Sequence, residues 1–292
     1  MVRAMDRYFL LRITSSPLEA EALRLELEER LSSGWEEIEK EVSIEFKTYF
    51  SSLEDAQSLL SSLMGQYNIK GEIKEIHSAS WEREWKNFFQ PIEVANTFLI
   101  LPPWLKAPPR PIGKNSLIPL VIHPQMAFGT GHHPTTRLCL EALIHLREEG
   151  SLQKLKNFLD VGTGSSILSI AAVKLGLRGI GLDIDPLVRE NVITNLRLNE
   201  IHDGFSLIIG SPSCLKKGPF DLIMANILLR PLMEMKQKLL SLLSHRGILV
   251  LSGILKEQEE MLISAYHPAE GRDYEIISRE NWSCIIWKPG EP

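Results

Sequence analysis

The sequence predicts an α/β chain in two parts, a small α+β unit followed by a larger unit built on a mostly parallel sheet. Three observations predict it. The 292 residues exceed what a single domain of about 150 residues usually takes. Residues 7–77 alternate short strands and helices in the order βαββαβ. From about residue 155 onward strands and helices alternate regularly, as in a parallel sheet covered on both faces.

The elements follow in order. RYFLLRI (7–13) reads as a strand. Ser16 and Pro17 then offer an N-cap and a first-turn proline to a helix through LEAEALRLELEERL, with Leu18, Ala22, Leu25 and Leu31 expected near its buried face. WEEIE and VSIEFKTYF read as two strands, the second alternating Val42, Ile44 and Phe46 with Ser43, Glu45 and Lys47. Ser52 caps a second helix, SLEDAQSLLSSLMGQ, and IKGEIKEIH closes the unit as a last strand. This order is the ferredoxin-like split unit, which buries one sheet face under two helices. It hosts many functions and names none.

The expected boundaries are 1–77 for this unit, 78–91 for a helical connector and 92–292 for the second unit. The connector, SASWEREWKNFFQP, brings Trp81, Trp85, Phe88 and Phe89 close to one side, where aromatics are expected to pack between domains. Short strands in FLILP and LIPLVIHP then flank a loop. Seven prolines between Pro102 and Pro124 preclude a helix there.

Composition excludes several classes. Hydrophobic residues make up 44% and charged residues 24%, which is ordinary for a compact fold. Cys139, Cys214 and Cys284 form no CxxC pair and no disulfide framework, so a reducing cytoplasm is expected. The start lacks a signal-peptide core and no apolar run approaches about 18 residues, so neither export nor membrane association is expected. The formal charge of -5 is uneven: residues 1–80 carry -6, residues 81–150 carry +1 and residues 151–292 carry zero. Nucleic acid calls for a basic face against its phosphates, so the acidic first unit points instead to a basic protein partner and to no direct nucleic-acid binding. A monomer is expected.

The chemistry sits in the second unit. NFLDVGTGSSILSIAAVKLG begins as a buried strand, turns at Gly162 and Gly164, and continues as an apolar helix, so backbone amides are expected to lie open to a ligand there. The next strand, RGIGLDID, ends in Asp183, 21 residues beyond Gly162, where a carboxylate suits both hydroxyls of a ribose. The GxGxxG spacing of a dinucleotide site is absent. Gly162 to Ser166 instead fits the DxGxGxG loop of S-adenosylmethionine (SAM)-dependent methyltransferases, with Ser166 in place of the third glycine. In FDLIMANILLRPL a buried strand ends at Asn226, on the same sheet edge as Gly162 and Asp183. Upstream, AFGTGHHPTTRLCLEALIHL places Gly129 and Gly131 before a helix opened by Pro134, with Thr135 and Thr136 in its first turn.

Taken together, AFGTGHHPTT, DVGTGSSIL, GLDIDP and ANIL resemble the ribosomal protein L-eleven methyltransferase family (PrmA type). The resemblance covers most of the chain from about residue 80, through the WEREWKNFFQPIEV connector and the SGIL strand. It implies a class I methyltransferase domain with a Rossmann-like, mostly parallel seven-stranded sheet, preceded by a ferredoxin-like domain that recognises the substrate. It also implies SAM as cofactor and a large-subunit ribosomal protein as substrate, trimethylated on lysine ε-amino or N-terminal α-amino groups. Carried onto this chain, Thr136, Gly162, Asp183 and Asn226 would contact SAM, with Gly164 in the same loop. Ser166 and Thr163, the latter at a position the family commonly fills with cysteine, depart from the pattern.

Amine methylation needs a free nitrogen lone pair, and a lysine of pKa about 10.4 must first lose a proton, at a cost of roughly 4 to 5 kcal/mol near pH 7. Desolvation beside a sulfonium lowers that pKa, so orientation becomes the main task. The side-chain carbonyl of Asn226 is the candidate catalytic group, accepting a hydrogen bond from the amine. His123, His132 and His133 invite a metal reading, but adjacent His132 and His133 point poorly at one ion and no nearby Cys or carboxylate completes a set, so no metal is expected. No GxSxG elbow supports a hydrolase. Two rivals stay open: methylation of RNA or a small molecule, and a non-catalytic adaptor that kept the fold.

Overall fold

The computed structural model describes residues 7–31, 35–40, 42–50, 52–77, 89–105, 117–124, 129–216, 218–266 and 272–289. The chain divides between Phe89 and Gln90 into two units. Most of the expected connector, residues 78–88, lies outside the described residues.

In the first unit, β1 (Arg7–Ser15) leads into α1 (Pro17–Arg30), whose N-cap Ser16 accepts the Glu19 amide. Pro17 takes the first helical position, where its missing N–H leaves no bond unmade. β2 (Glu36–Glu39), β3 (Ile44–Phe50), α2 (Leu53–Gln66, capped by Ser52) and β4 (Lys70–His77) complete the βαββαβ order. The sheet runs β2-β3-β1-β4 with every pair antiparallel. Leu11, Ile13, Ile44 and Phe46 share one sheet face and pack with Leu23 and Leu27 of α1 and Leu63 of α2.

The buried face of α1 differs from the expected one. Leu18 is 91% exposed, while Ala20, Leu23 and Leu27 are buried. Spacings of three and four residues put those three on one stripe, which at about 100° per residue lies nearly opposite Leu18. Leucines stand on both sides of this helix, so spacing alone left its face open. Ala22 and Leu31 are half-buried, and the side chain of Leu25 lies outside the described residues. Val42 precedes β3 and is exposed, so inward alternation begins at Ile44.

The second unit opens with a small sheet of β5 (Ile92–Val94), β6 (Phe98–Leu101) and β7 (Ile118–Val121). After α3 (Pro134–Glu148) come β8 (Asn157–Val161), α4 (Ile167–Lys174), β9 (Arg178–Asp183), α5 (Val188–Leu198), β10 (Phe205–Ile209), β11 (Phe220–Asn226) and α6 (Leu229–Leu242). β12 (Leu243–Leu255), α7 (Glu259–Tyr266), β13 (Arg272–Arg279) and β14 (Trp282–Pro289) close it. The seven-stranded sheet has the order β10-β9-β8-β11-β12-β14-β13, parallel from β10 to β12 and antiparallel at β14.

Burial on both faces explains the unbroken apolar strands. Phe158, Leu222, Met224 and Val250 point to one core with α3 and α4, and Leu159, Ile223, Ala225 and Leu251 point to the other with α6 and α7.

The corrected face of α1 has a measurable consequence. Leu23→Ala is expected to lower stability by about 2–5 kcal/mol, and Leu18→Ala to change it by no more than about 0.5 kcal/mol. Urea denaturation of the full chain reads both, and equal losses would reverse the assignment.

Candidate active site

Parallel strands β8, β9 and β11 end at one edge of the sheet, and the strand order reverses between β8 and β11, which opens a crevice at their carboxyl ends. Gly162 and Gly164 follow β8, Asp183 ends β9 and Asn226 ends β11. Thr136, in the first turn of α3, reaches the same edge, where Asn226 Nδ2 donates to its Oγ1 at 3.4 Å. Asp183 Oδ2 accepts the Gly164 amide at 2.9 Å and Oδ1 accepts the Asp185 amide at 3.0 Å. All five residues named from sequence therefore lie at this edge, and two direct bonds link four of them.

The turn after β8 is the tightest part. Gly162, Gly164 and Ser166 hold φ of 71°, 51° and 63°. A Cβ on Gly162 would stand 2.5 Å from Ile227 Cγ2. Ser166, where the loop pattern has its third glycine, takes the left-handed conformation that costs a non-glycine residue roughly 1–2 kcal/mol. Helix α4 starts one residue later, at Ile167. The Ser166 hydroxyl is buried 3.1 Å from Thr163 Oγ1, so the two departures from the loop pattern touch each other.

The amides of Gly162, Thr163, Gly164, Ser166 and Ile167 are bonded internally rather than open to a ligand. Gly162 and Thr163 both donate to Leu182 O, at 2.8 and 2.9 Å, and Ser166 donates to Thr163 O at 2.7 Å. The Gly164 amide goes to Asp183 and the Ile167 amide to Ser165 Oγ. For these five residues the expectation of free amides fails, because the turn folds back on the end of β9 and on itself. What it offers is a surface without side chains, not an anion nest.

Two acceptors here have no partner. Asp160 Oδ2 accepts from Thr163 Oγ1 at 2.7 Å and Ser169 Oγ at 2.6 Å, but its Oδ1 is buried without a hydrogen bond. Burial pushes this carboxyl up to about 6, against the two hydroxyl bonds, and the charge of Asp183 adds to the rise. Asn226 Oδ1 is also buried and unbonded, its amide turned by the contact of Nδ2 with Thr136. A buried acceptor without a donor costs about 1–3 kcal/mol, so such atoms mark places where a ligand's N–H or O–H fits.

The histidines act locally. His133 is the N-cap of α3, its Nδ1 accepting the Thr135 amide at 3.3 Å, and His123 Nδ1 lies 3.1 Å from Pro124 O. Burial lowers the pKa of His132 and His133, so both lean toward the neutral form. Among the described residues the cluster with metal-ligand spacing is His145, Glu149 and Glu275, and Lys288 is already paired with both glutamates.

Sequence reasoning passed over Asp160, Ser165 and Asn195. Asp160 is the aspartate of the loop motif, near the end of β8. Ser165 Oγ donates to Gly129 O at 2.6 Å and joins the two glycine-bearing loops. Asn195 lies on α5 midway between Asn191 and Asn199, a four-residue spacing that was the available signal.

The strand order, the glycine turn after the first parallel strand and the acid ending the second define a class I methyltransferase. The family model for ribosomal protein L11 methyltransferase (PrmA) matches residues 11–289, and the chain belongs to that family. Ribosomal protein L11 methyltransferase of Pelobacter propionicus is 35% identical over 254 residues, covering 83% of this chain and 81% of that one. The protein of the same name from Bacillus cytotoxicus is 32% identical over 254 residues, covering 82% and 78%. Among solved structures, a ribosomal protein L11 methylase from Lactobacillus delbrueckii subsp. bulgaricus superposes with a TM-score of 0.60 at 29% identity, over 70% of this chain and 100% of that one.

Two predictions come from this geometry. Gly162→Ala is expected to lose about 1–2 kcal/mol from its left-handed backbone alone, with a further loss from displacing Ile227; an unchanged thermal midpoint would contradict it. Asp160 carries a folded-state pKa above its ordinary 3.8, so ionising it costs stability that is fully lost above pH 6 and restored as pH falls toward 4. Asp160→Asn is therefore expected to be more stable than the parent at pH 8 by up to about 3 kcal/mol. That advantage should vanish near pH 4 in denaturation curves measured across the range.

Proposed function

We propose that this protein uses SAM to methylate amino groups of ribosomal protein L11, on lysine side chains, the N-terminal amine or both. The observation that carries the reading is the unpartnered, buried Oδ1 of Asn226 at the crevice, an acceptor placed for an amine N–H. The family and the relatives from Pelobacter propionicus and Bacillus cytotoxicus supply the substrate named here.

The residues at the crevice fit such a donor. Gly162 presents no side chain where a ligand must come close, and Asp183 keeps lone pairs beyond those used by the Gly164 and Asp185 amides, enough for two ribose hydroxyls. SAM, when bound, supplies an electrophilic methyl group on a sulfonium. Thr136 engages the Asn226 amide so that Nδ2 is occupied and the buried Oδ1 is left as an acceptor without a partner. Asn226 Oδ1 takes a hydrogen bond from the incoming amine and thereby aims the nitrogen lone pair. Burial at this edge excludes water and favours the neutral amine, which removes the need for a strong base.

The first unit, with a charge of -6 over residues 1–80, is the element suited to holding a basic protein. In this reading it recognises L11, residues 78–91 connect it to the catalytic unit, and the enzyme works as a cytoplasmic monomer.

Incubation of the full chain with SAM and purified L11 should raise the intact mass of L11 in steps of one methyl group. No mass step under saturating SAM would overturn the reading. Asn226→Ala is expected to lower kcat about a hundredfold, the scale of losing one oriented polar contact to the reacting group. Wild-type turnover in that variant would remove Asn226 from the mechanism.

A further inference from the structure

Helix α5 turns Asn191, Asn195 and, at its C-cap, Asn199 to one buried face. A side-chain amide carries one acceptor and a pair of donors, the complement that a peptide group needs. Asn199 Oδ1 accepts Val121 N at 3.0 Å while its Nδ2 donates to Val121 O at 2.6 Å. Two residues further on, Asn195 Oδ1 accepts His123 N at 2.8 Å and Asn191 Nδ2 donates to His123 O at 3.2 Å. Four helical residues rise about 6.0 Å and two extended residues advance about 6.6 Å, so the asparagine spacing matches alternate residues of a strand. The helix thus replaces a missing neighbour strand beyond β7.

Asn195 does more than its two neighbours. Its Nδ2 donates to Ser165 O at 2.9 Å, inside the turn that follows β8. Ser165 in turn donates through Oγ to Gly129 O at 2.6 Å, and a Cβ on Gly129 would sit 2.8 Å from that oxygen. His123, Asn195, Ser165 and Gly129 therefore form one chain of bonds. It links the segment leading to α3, which carries Thr136, with the turn that carries Gly162 and Gly164. Both linking side chains are buried, and neither is needed to satisfy the strand edge at Val121.

We infer that Asn195 and Ser165 are positioning residues for the donor site, setting the separation between the glycine turn and the start of α3 without touching the donor. This rests on the reading that SAM binds at the crevice. Titration calorimetry with SAM and methylation kinetics on L11, both with the full chain, test it. Ser165→Ala and Asn195→Leu should each raise Kd and KM for SAM tenfold or more, with kcat at saturating SAM within threefold of wild type. The double variant should be no worse than the weaker single one, because both cut the same chain. Asn199→Leu, which loosens only the strand edge, should lower the thermal midpoint and leave Kd within twofold.

Wild-type Kd in Ser165→Ala and Asn195→Leu would overturn the inference, as would an equal loss of affinity in Asn199→Leu. If Asn195→Leu does not fold, Ser165→Ala decides alone, since it removes one hydroxyl from a buried site. A wild-type chain that binds no SAM would defeat the proposed function and this inference together. Normal wild-type binding with unaffected variants would defeat this inference only.

Discussion

The site depends on a backbone constraint. Between β8 and α4 the chain must pass through positive φ at residues 162, 164 and 166. Glycine meets that demand freely, and Ser166 meets it at a cost. The shape is held from outside the turn: Leu182 O receives two of its amides, Asp183 receives a third, and Thr163 binds the buried Asp160. Leu182 and Asp183 are the last residues of β9, so the neighbouring strand sets the form of the loop. One carboxylate consequently has two tasks, shaping the turn and presenting lone pairs to whatever lies against it.

Local signals were readable from sequence and distant ones were not. Ser16 and Ser52 could be read as caps because a cap and the amide it receives lie three residues apart. β11 could be read as a core strand because Leu222 to Ala225 are apolar without a break, as burial on both faces requires. The face of α1 could not be read, because leucines at 18 and 25 compete with those at 23 and 27. The internal bonding of the glycine turn was hidden because its acceptors come from β9 rather than from the motif itself. The asparagine face of α5 was hidden for the same reason. Its partners Val121 and His123 lie 78 and 72 residues earlier, and three asparagines on a helix read as an ordinary wet surface until that segment is seen against them.

Charge explains why this turn suits a sulfonium better than a diphosphate. A dinucleotide site uses free amides at a helix N-terminus to hold phosphate, and here five of the turn's amides are committed to Leu182, Asp183, Thr163 and Ser165. The local field also has the wrong sign for an anion. Asp160 is buried with one oxygen unbonded, and its neighbour Asp183 makes ionisation harder still. An anion entering the crevice would add to that repulsion, whereas a cation would relieve it and draw the Asp160 pKa back down. An ionised carboxyl in this place costs more than a neutral side chain of the same shape would. A positively charged ligand in the crevice would offset that cost. The Asp160 carboxylate would accordingly be better compensated by a sulfonium than by a neutral sulfide.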